Sequence, residues 1–129
     1  MDTILASLNE NQRQAVVNIE GPSMVIAGAG SGKTRVLTYR IAYMISQGIN
    51  PFNILSLTFT NKAAEEMKER VMSLLGTSQG RYVWMGTFHS ICVRILRKHI
   101  DKIGFDSSFI IFDVSDQKSL IKKCLKELQ

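Results

Sequence analysis

The sequence predicts an α/β chain with a parallel sheet flanked by helices, and three observations carry the prediction. Short, mainly apolar runs alternate with longer segments of helical periodicity. Met24 to Ala27 is apolar at every position, as a strand buried on both faces is. The first run, Met24 to Ala27, leads into a glycine-rich loop, and the loop ends in Lys33-Thr34 where a helical pattern begins. That strand–loop–helix layout is the layout of a phosphate-binding loop.

The elements follow in order. Asn9 to Ile19 reads as a short helix, capped by Asn9 and apolar along Leu8, Ala15, Val16 and Ile19. Gly21-Pro22 breaks the chain, and Met24 to Ala27 is a short strand. Lys33 to Gln47 is a helix with Val36, Leu37, Ile41, Met44 and Ile45 at helical spacing and Gly48 as its stop. Ile54 to Phe59 is a second strand. Asn61 to Leu75 is a helix whose inner face is Ala64, Met67, Val71 and Leu74, ended by Gly76. Tyr82 to Met85 is a third strand, and Thr87 to Ile103 a helix capped by Thr87 and ended by Gly104. Phe109 to Phe112 reads as a fourth strand and Ser115 to Leu128 as a last helix. Ligands gather at the carboxyl ends of parallel strands. The glycine loop, Thr58 to Asn61 and Gly86-Thr87 all fall at strand ends, so they are expected to share one edge of the sheet.

Composition narrows the class. The 129 residues fit one domain of modest size, and the formal charge of +5 points to an anionic partner. Cys92 and Cys124 lie far apart on apolar helical stripes, so buried thiols in a reducing compartment are expected. His99 lies on the stripe of Phe88, Ile91, Cys92, Ile95, Leu96 and Ile103 and reads as a packed histidine. No apolar run approaches membrane-spanning length, and the N-terminus lacks a signal-peptide pattern; a cytoplasmic protein is the expectation. The last helix carries a wide apolar stripe, Leu120, Ile121, Cys124, Leu125 and Leu128, with nothing after it to bury the stripe. Gln129 is therefore expected to be a boundary within a longer protein.

The loop Ala27, Gly28, Ala29, Gly30, Ser31 and Gly32 can turn its backbone amides toward a polyphosphate, because glycine tolerates the required conformations. The helix behind it aims its positive end at the same anion. Lys33 can reach the β- and γ-phosphates, and the Thr34 hydroxyl can ligate Mg²⁺. Ala27 stands where the commonest form of the motif has its first glycine, which is tolerable if its φ is negative.

Three further segments stand in order around this loop: Leu8-Asn9-Glu10-Asn11-Gln12-Arg13-Gln14-Ala15-Val16 before it, Leu57-Thr58-Phe59-Thr60-Asn61-Lys62-Ala63-Ala64-Glu65-Glu66-Met67 after the second strand, and Gly86-Thr87-Phe88-His89-Ser90 after the third. The series closely resembles the N-terminal part of the UvrD/Rep/PcrA family, superfamily 1 DNA helicases that move 3′ to 5′ on single strands. The resemblance covers nearly the whole chain. It implies a P-loop NTPase (RecA-like) motor domain over residues 1–108, with the start of an inserted helical subdomain at 109–129. It implies ATP and Mg²⁺ as cofactors, with Lys33 and Thr34 catalytic and Thr34 on the metal. From the residues alone Gln12 reads as the capping-box partner of Asn9; the resemblance assigns it to the adenine edge, which suits an amide. The resemblance likewise places Arg35 on the adenine ring, where a planar guanidinium can stack. Phe59, Thr60, Asn61 and Lys62 correspond to a segment that touches single-stranded DNA, with Phe59 a stacking face or strand-end core, and Thr60 or Asn61 a phosphate contact or helix cap. Thr87, Phe88 and His89 correspond to a DNA-backbone contact. The implied partners are single-stranded and junction DNA, the rest of the helicase chain with its second motor domain, and DNA-repair proteins, with no membrane.

Two features bound this reading. Phe109 to Asp113 has the form of a Walker B strand, so a self-contained small kinase or ATPase using Asp113 for Mg²⁺ is an alternative. In the resembled family an Asp-Glu pair ends that strand, whereas Val114 and Ser115 follow Asp113 here, which makes Asp113 a turn residue ahead of a helix. The basic faces Arg94, Arg97, Lys98, Lys102 and Lys118, Lys122, Lys123, Lys126 leave a non-catalytic single-strand-binding module as a second alternative. The family's acidic pair, its glutamine–arginine motif and its γ-phosphate-sensing arginine do not occur in these residues. By itself the chain is expected to bind nucleotide weakly and hydrolyse it negligibly.

Overall fold

The computed structural model describes residues 2–128. The chain divides into two compact units, Met1–Cys92 and Val93–Gln129. The first is α/β, with helices packed around a two-stranded parallel sheet.

Helix positions follow the local sequence. α1 (Asp2–Leu5) is a single turn that the apolar spacing did not announce. α2 (Glu10–Val17) starts at Asn9, which forms a capping box with Gln12. α3 (Lys33–Ser46) begins right after the glycine loop. α4 (Asn61–Leu75) matches the expected range at both ends: the Thr60 hydroxyl accepts from the Ala63 N–H at 3.2 Å, and Gly76 closes the helix at φ 61°. Only glycine adopts that left-handed conformation without steric cost. Gly76→Ala is therefore expected to lower stability by about 1 kcal/mol, read as a shift in the denaturation midpoint. A midpoint unchanged by the substitution would contradict this account of the helix stop.

The core lies where α3 and α4 meet the strands. β1 (Leu55–Thr58) and β2 (Trp84–Thr87) pair in parallel, Leu55 opposite Trp84 and Thr58 opposite Thr87. Ile41 and Ile45 on α3, Met67 and Val71 on α4, and Ile54 and Val83 at the strand starts form one buried cluster. The helical pairs are four residues apart, so each pair projects from one face of its helix. α2 packs on α3 through the same logic, burying Leu8 and Val16. The buried hydroxyl of Thr38 donates to the Thr34 and Arg35 carbonyls, at 3.1 and 2.9 Å, and so costs the core no unpaired donor.

Two expected strands do not form. Met24 to Ala27 has no ladder partner among the described residues, and Met24 and Ile26 are 85% and 89% exposed. A strand fixes no hydrogen bonds within itself, so apolar content without a neighbour leaves the segment irregular. Phe109 to Phe112 is irregular for the same reason, with Ile110, Ile111 and Phe112 exposed. The third expected strand is present but shifted toward the C-terminus, because Ser78–Tyr82 winds into a 3₁₀ turn that consumes Tyr82.

The second unit holds the later part of α5 (Phe88–His99), a 3₁₀ turn at Ile100–Ile103 stopped by Gly104, and α6 (Val114–Glu127). The expected single helix to Ile103 thus tightens in its last turn. Arg97 donates to the Ser107 carbonyl and lies over the Phe109 ring at 4.1 Å, so this member of the basic face is tied down. Asp113 caps α6, its carboxylate accepting from the Asp116 N–H at 2.8 Å. The apolar stripe of α6 is exposed. Cys92 and Cys124, expected as buried thiols, are also exposed, and so is His99. Helical periodicity gave their face correctly, but burial needs a second surface opposite that face. Among the described residues no helix is long and apolar enough to cross a membrane.

Candidate functional site

The glycine loop closes around a single carbonyl. Gly28 O accepts from the Lys33 ammonium at 2.8 Å and from the Ser31 hydroxyl at 2.7 Å; Ala27 O takes a second bond from Lys33 at 3.1 Å. Gly30 and Gly32 hold φ of 75° and 87°, which turns the chain sharply enough to bring Lys33 back over the loop. No non-glycine residue among those described has positive φ, so Ala27 sits in the loop without strain.

The start of α3 differs from the other long helices. Asn9, Thr60, Thr87 and Asp113 each place a side-chain oxygen on an early N–H of α2, α4, α5 and α6. At α3 the cap is Gly32, and no side chain caps the helix. The first N–H groups of a helix have no intrahelical partner, so α3 presents them, with its positive dipole end, to an anion from outside. Lys33 and Thr34 are exposed at this terminus. The donor set therefore fits a polyphosphate: uncapped amides, a mobile-chain ammonium now resting on loop carbonyls, and a hydroxyl beside them.

A cleft of about 570 Å³ opens beside the loop, lined by Asn9, Gln12, Ala27, Gly28, Lys33 and Arg40 among others. Gln12 is half-buried there, and its amide Nε2 donates to the Ser31 carbonyl at 3.1 Å, joining α2 to the loop. It is thus both the capping partner of Asn9 and a wall of the cleft. Arg35 turns elsewhere: its guanidinium donates to the Ser7 carbonyl at 2.9 Å and lies 5.2 Å from the Tyr39 ring centroid. Arg40 was not singled out by the sequence, yet it donates to the Ala15 carbonyl at 2.6 Å and the Ser23 hydroxyl at 3.4 Å, tying the entry of the loop to α2. Its signal was spacing, since it lies two helical turns beyond Lys33 on one face.

At the carboxyl ends of β1 and β2 the register decides the arrangement. Thr58 pairs with Thr87, so the next residues, Phe59 and Phe88, leave the sheet side by side. Their rings lie 5.8 Å apart and tilted by 39°. Phe59 is 90% exposed, which removes its strand-end-core alternative. Asn61, Lys62 and His89 are exposed around the pair. Thr60 and Thr87 point otherwise: the Thr60 hydroxyl caps α4, and Thr87 is buried with its hydroxyl bonded to Ser90. In this geometry the Thr87 hydroxyl is thus engaged within the start of α5.

Residues 8–129 match the UvrD/REP helicase N-terminal domain. The chain belongs to that family. It is 55% identical over 127 residues to the ATP-dependent DNA helicase PcrA of Staphylococcus aureus strain Mu50, and 54% identical over 127 residues to the PcrA helicase of Staphylococcus epidermidis strain RP62A. In both cases the match covers 98% of this chain and 17% of the relative. The chain thus spans about a sixth of the length of the curated relatives it matches. As a UvrD/REP helicase N-terminal domain it carries the glycine loop, the Gln12 bridge and the strand-end aromatic pair within the matched residues. Among the described residues no cluster of three His, Cys, Asp or Glu could hold a metal by itself.

Proposed function

We propose that this chain is the ATP-binding part of an ATP-dependent DNA helicase that moves 3′ to 5′ on single-stranded DNA in repair or replication in the cytoplasm. The observation that carries the reading is the uncapped N-terminus of α3 behind a glycine loop, with Lys33 and Thr34 exposed on it. The relatives named ATP-dependent DNA helicases support it.

In this reading residues 1–108 belong to a P-loop, RecA-like motor domain and 109–129 open an inserted helical subdomain. Residues 27–35 with Gln12 bind the nucleotide. Lys33 leaves the Ala27 and Gly28 carbonyls for the β- and γ-phosphates, a local movement of one flexible side chain. Thr34 offers its hydroxyl to Mg²⁺, which when bound would neutralise phosphate charge. Gln12 and Arg35 serve the base, and Arg35 must exchange the Ser7 carbonyl for it. Asn61, Lys62 and His89 contact the DNA backbone around the Phe59–Phe88 pair. The remaining helicase chain, with its second motor domain, would supply the acidic and arginine groups that hydrolysis requires.

Two measurements test this. The chain should bind a fluorescent ADP analogue in a Mg²⁺-dependent manner while releasing phosphate from ATP no faster than buffer; a clear ATPase rate abolished by Lys33→Ala would sink the claim that the chain lacks catalytic groups. Stacking on an aromatic side chain contributes about 1–3 kcal/mol per base. Phe59→Ala or Phe88→Ala should therefore weaken binding of an oligo-dT strand roughly 5- to 150-fold, measured by fluorescence anisotropy, and unchanged binding in both variants would remove the pair from the DNA site. The kinase alternative is less supported, because the Asp113 carboxylate is occupied as the cap of α6.

A further inference from the structure

We infer that Asn9 is a positioning residue for purine selection, acting through Gln12. The inference rests on the proposed nucleotide site and adds to it a part that the sequence assigned only to helix capping. Asn9 and Gln12 bond reciprocally: Asn9 Oδ1 accepts from the Gln12 N–H at 2.9 Å, and Gln12 Oε1 accepts from the Asn9 N–H at 3.2 Å. The same Gln12 amide donates from Nε2 to the Ser31 carbonyl at 3.1 Å. Both ends of the amide are thus held, the oxygen toward the start of α2 and the nitrogen toward the glycine loop.

An amide has two acceptor lone pairs and two N–H donors. The two anchoring bonds consume one of each. One acceptor and one donor remain, on an amide that cannot flip without losing both anchors. Adenine presents a donor and an acceptor, N6 and N7, on the edge that such a pair complements; guanine presents two acceptors there, O6 and N7. An amide free to rotate would satisfy either base in part. An amide held in one sense favours adenine, because a mismatched polar group in a closed site is left unpaired. A Cβ on Gly32 would stand 2.9 Å from Gln12 Nε2, so a side chain at that position would move the amide off the loop.

The Asn9 side chain holds neither end of the amide directly; by capping α2 it fixes the first turn, and that turn places the Asn9 backbone N–H against Gln12 Oε1. Removing the Asn9 side chain leaves the Gln12 N–H unpaired and frees the first turn of α2, and with it the reciprocal bond. The test uses this chain, with competition of ADP and GDP against a fluorescent ADP analogue. Asn9→Ala is expected to narrow the ADP-over-GDP preference roughly three- to tenfold, while Asn9→Asp and Asn9→Ser, which cap equally well, keep it. Thermal melts run in parallel identify loss of fold. A preference unchanged in Asn9→Ala, with Gln12→Ala abolishing it, would overturn the inference and leave the nucleotide site standing. A preference lost equally in Asn9→Asp would also overturn it, since the cap would not be the cause. A wild-type chain that binds neither nucleotide, or both alike, would overturn the nucleotide site itself and the inference with it.

Discussion

Lys33→Ala will abolish measurable nucleotide binding by this chain and leave its fold intact. The side chain is exposed and, among the described residues, bonds to the carbonyls of Ala27 and Gly28 in its own loop, so its removal takes nothing from the core. Toward a polyphosphate it is the one cationic group that the loop itself contributes. Hydrogen bonds to charged groups are each worth about 1.5–3 kcal/mol, so two phosphate contacts correspond to a loss of about a hundredfold or more. Titration of a fluorescent ADP analogue would read the loss, with circular dichroism and a thermal melt as the control. Lys33→Arg keeps the charge but presents a planar fork in place of a compact ammonium, and should recover little. Wild-type affinity in Lys33→Ala would show that the loop is a turn and not a phosphate site. Affinity lost together with the melt would show instead that the lysine bonds hold the loop in place.

The second large effect is on stability. Ile41→Ala should cost about 2–5 kcal/mol, a major part of the 5–15 kcal/mol that typically holds a domain together. Ile41 is 1% exposed and belongs to the cluster with Ile45, Ile54, Met67, Val71 and Val83, so truncation leaves a cavity in the core that α3, α4 and the strand starts share. The cavity would lie under the helix that carries Lys33 and Thr34. Chemical denaturation followed by tryptophan fluorescence should show the midpoint fall with little change in slope. Leu37→Ala, one turn earlier and 36% exposed, should cost far less. Equal effects at the two positions would mean that the core is not centred on Ile41.

Much of the candidate site could be read from residues in sequence. Gly30 and Gly32, Lys33 and Thr34 lie within one turn of each other, and the conformation they adopt depends on glycine freedom and on the end of a helix. The Asn9–Gln12 box is likewise local. What could not be read was the use of Gln12 on both sides: the bond to Ser31 spans 19 positions and exists only because α2 packs on α3. Arg40 was hidden for the same reason, since its partners Ala15 and Ser23 lie 25 and 17 positions away.

By itself the sequence determined the longer helices, the caps Asn9 and Thr87, the stops near Gly48, Gly76 and Gly104, and the glycine loop. Helix bonds, capping hydroxyls and left-handed glycines act across three or four residues, so composition at those positions is sufficient. Tertiary structure alone decided which apolar segments became strands and which apolar faces were covered. Leu55–Thr58 and Trp84–Thr87 found each other and brought Phe59 beside Phe88, while Met24 to Ala27 and Phe109 to Phe112, apolar at every position, stayed irregular and exposed. A strand and a buried face each need a partner surface, and no count of apolar residues in one segment supplies it.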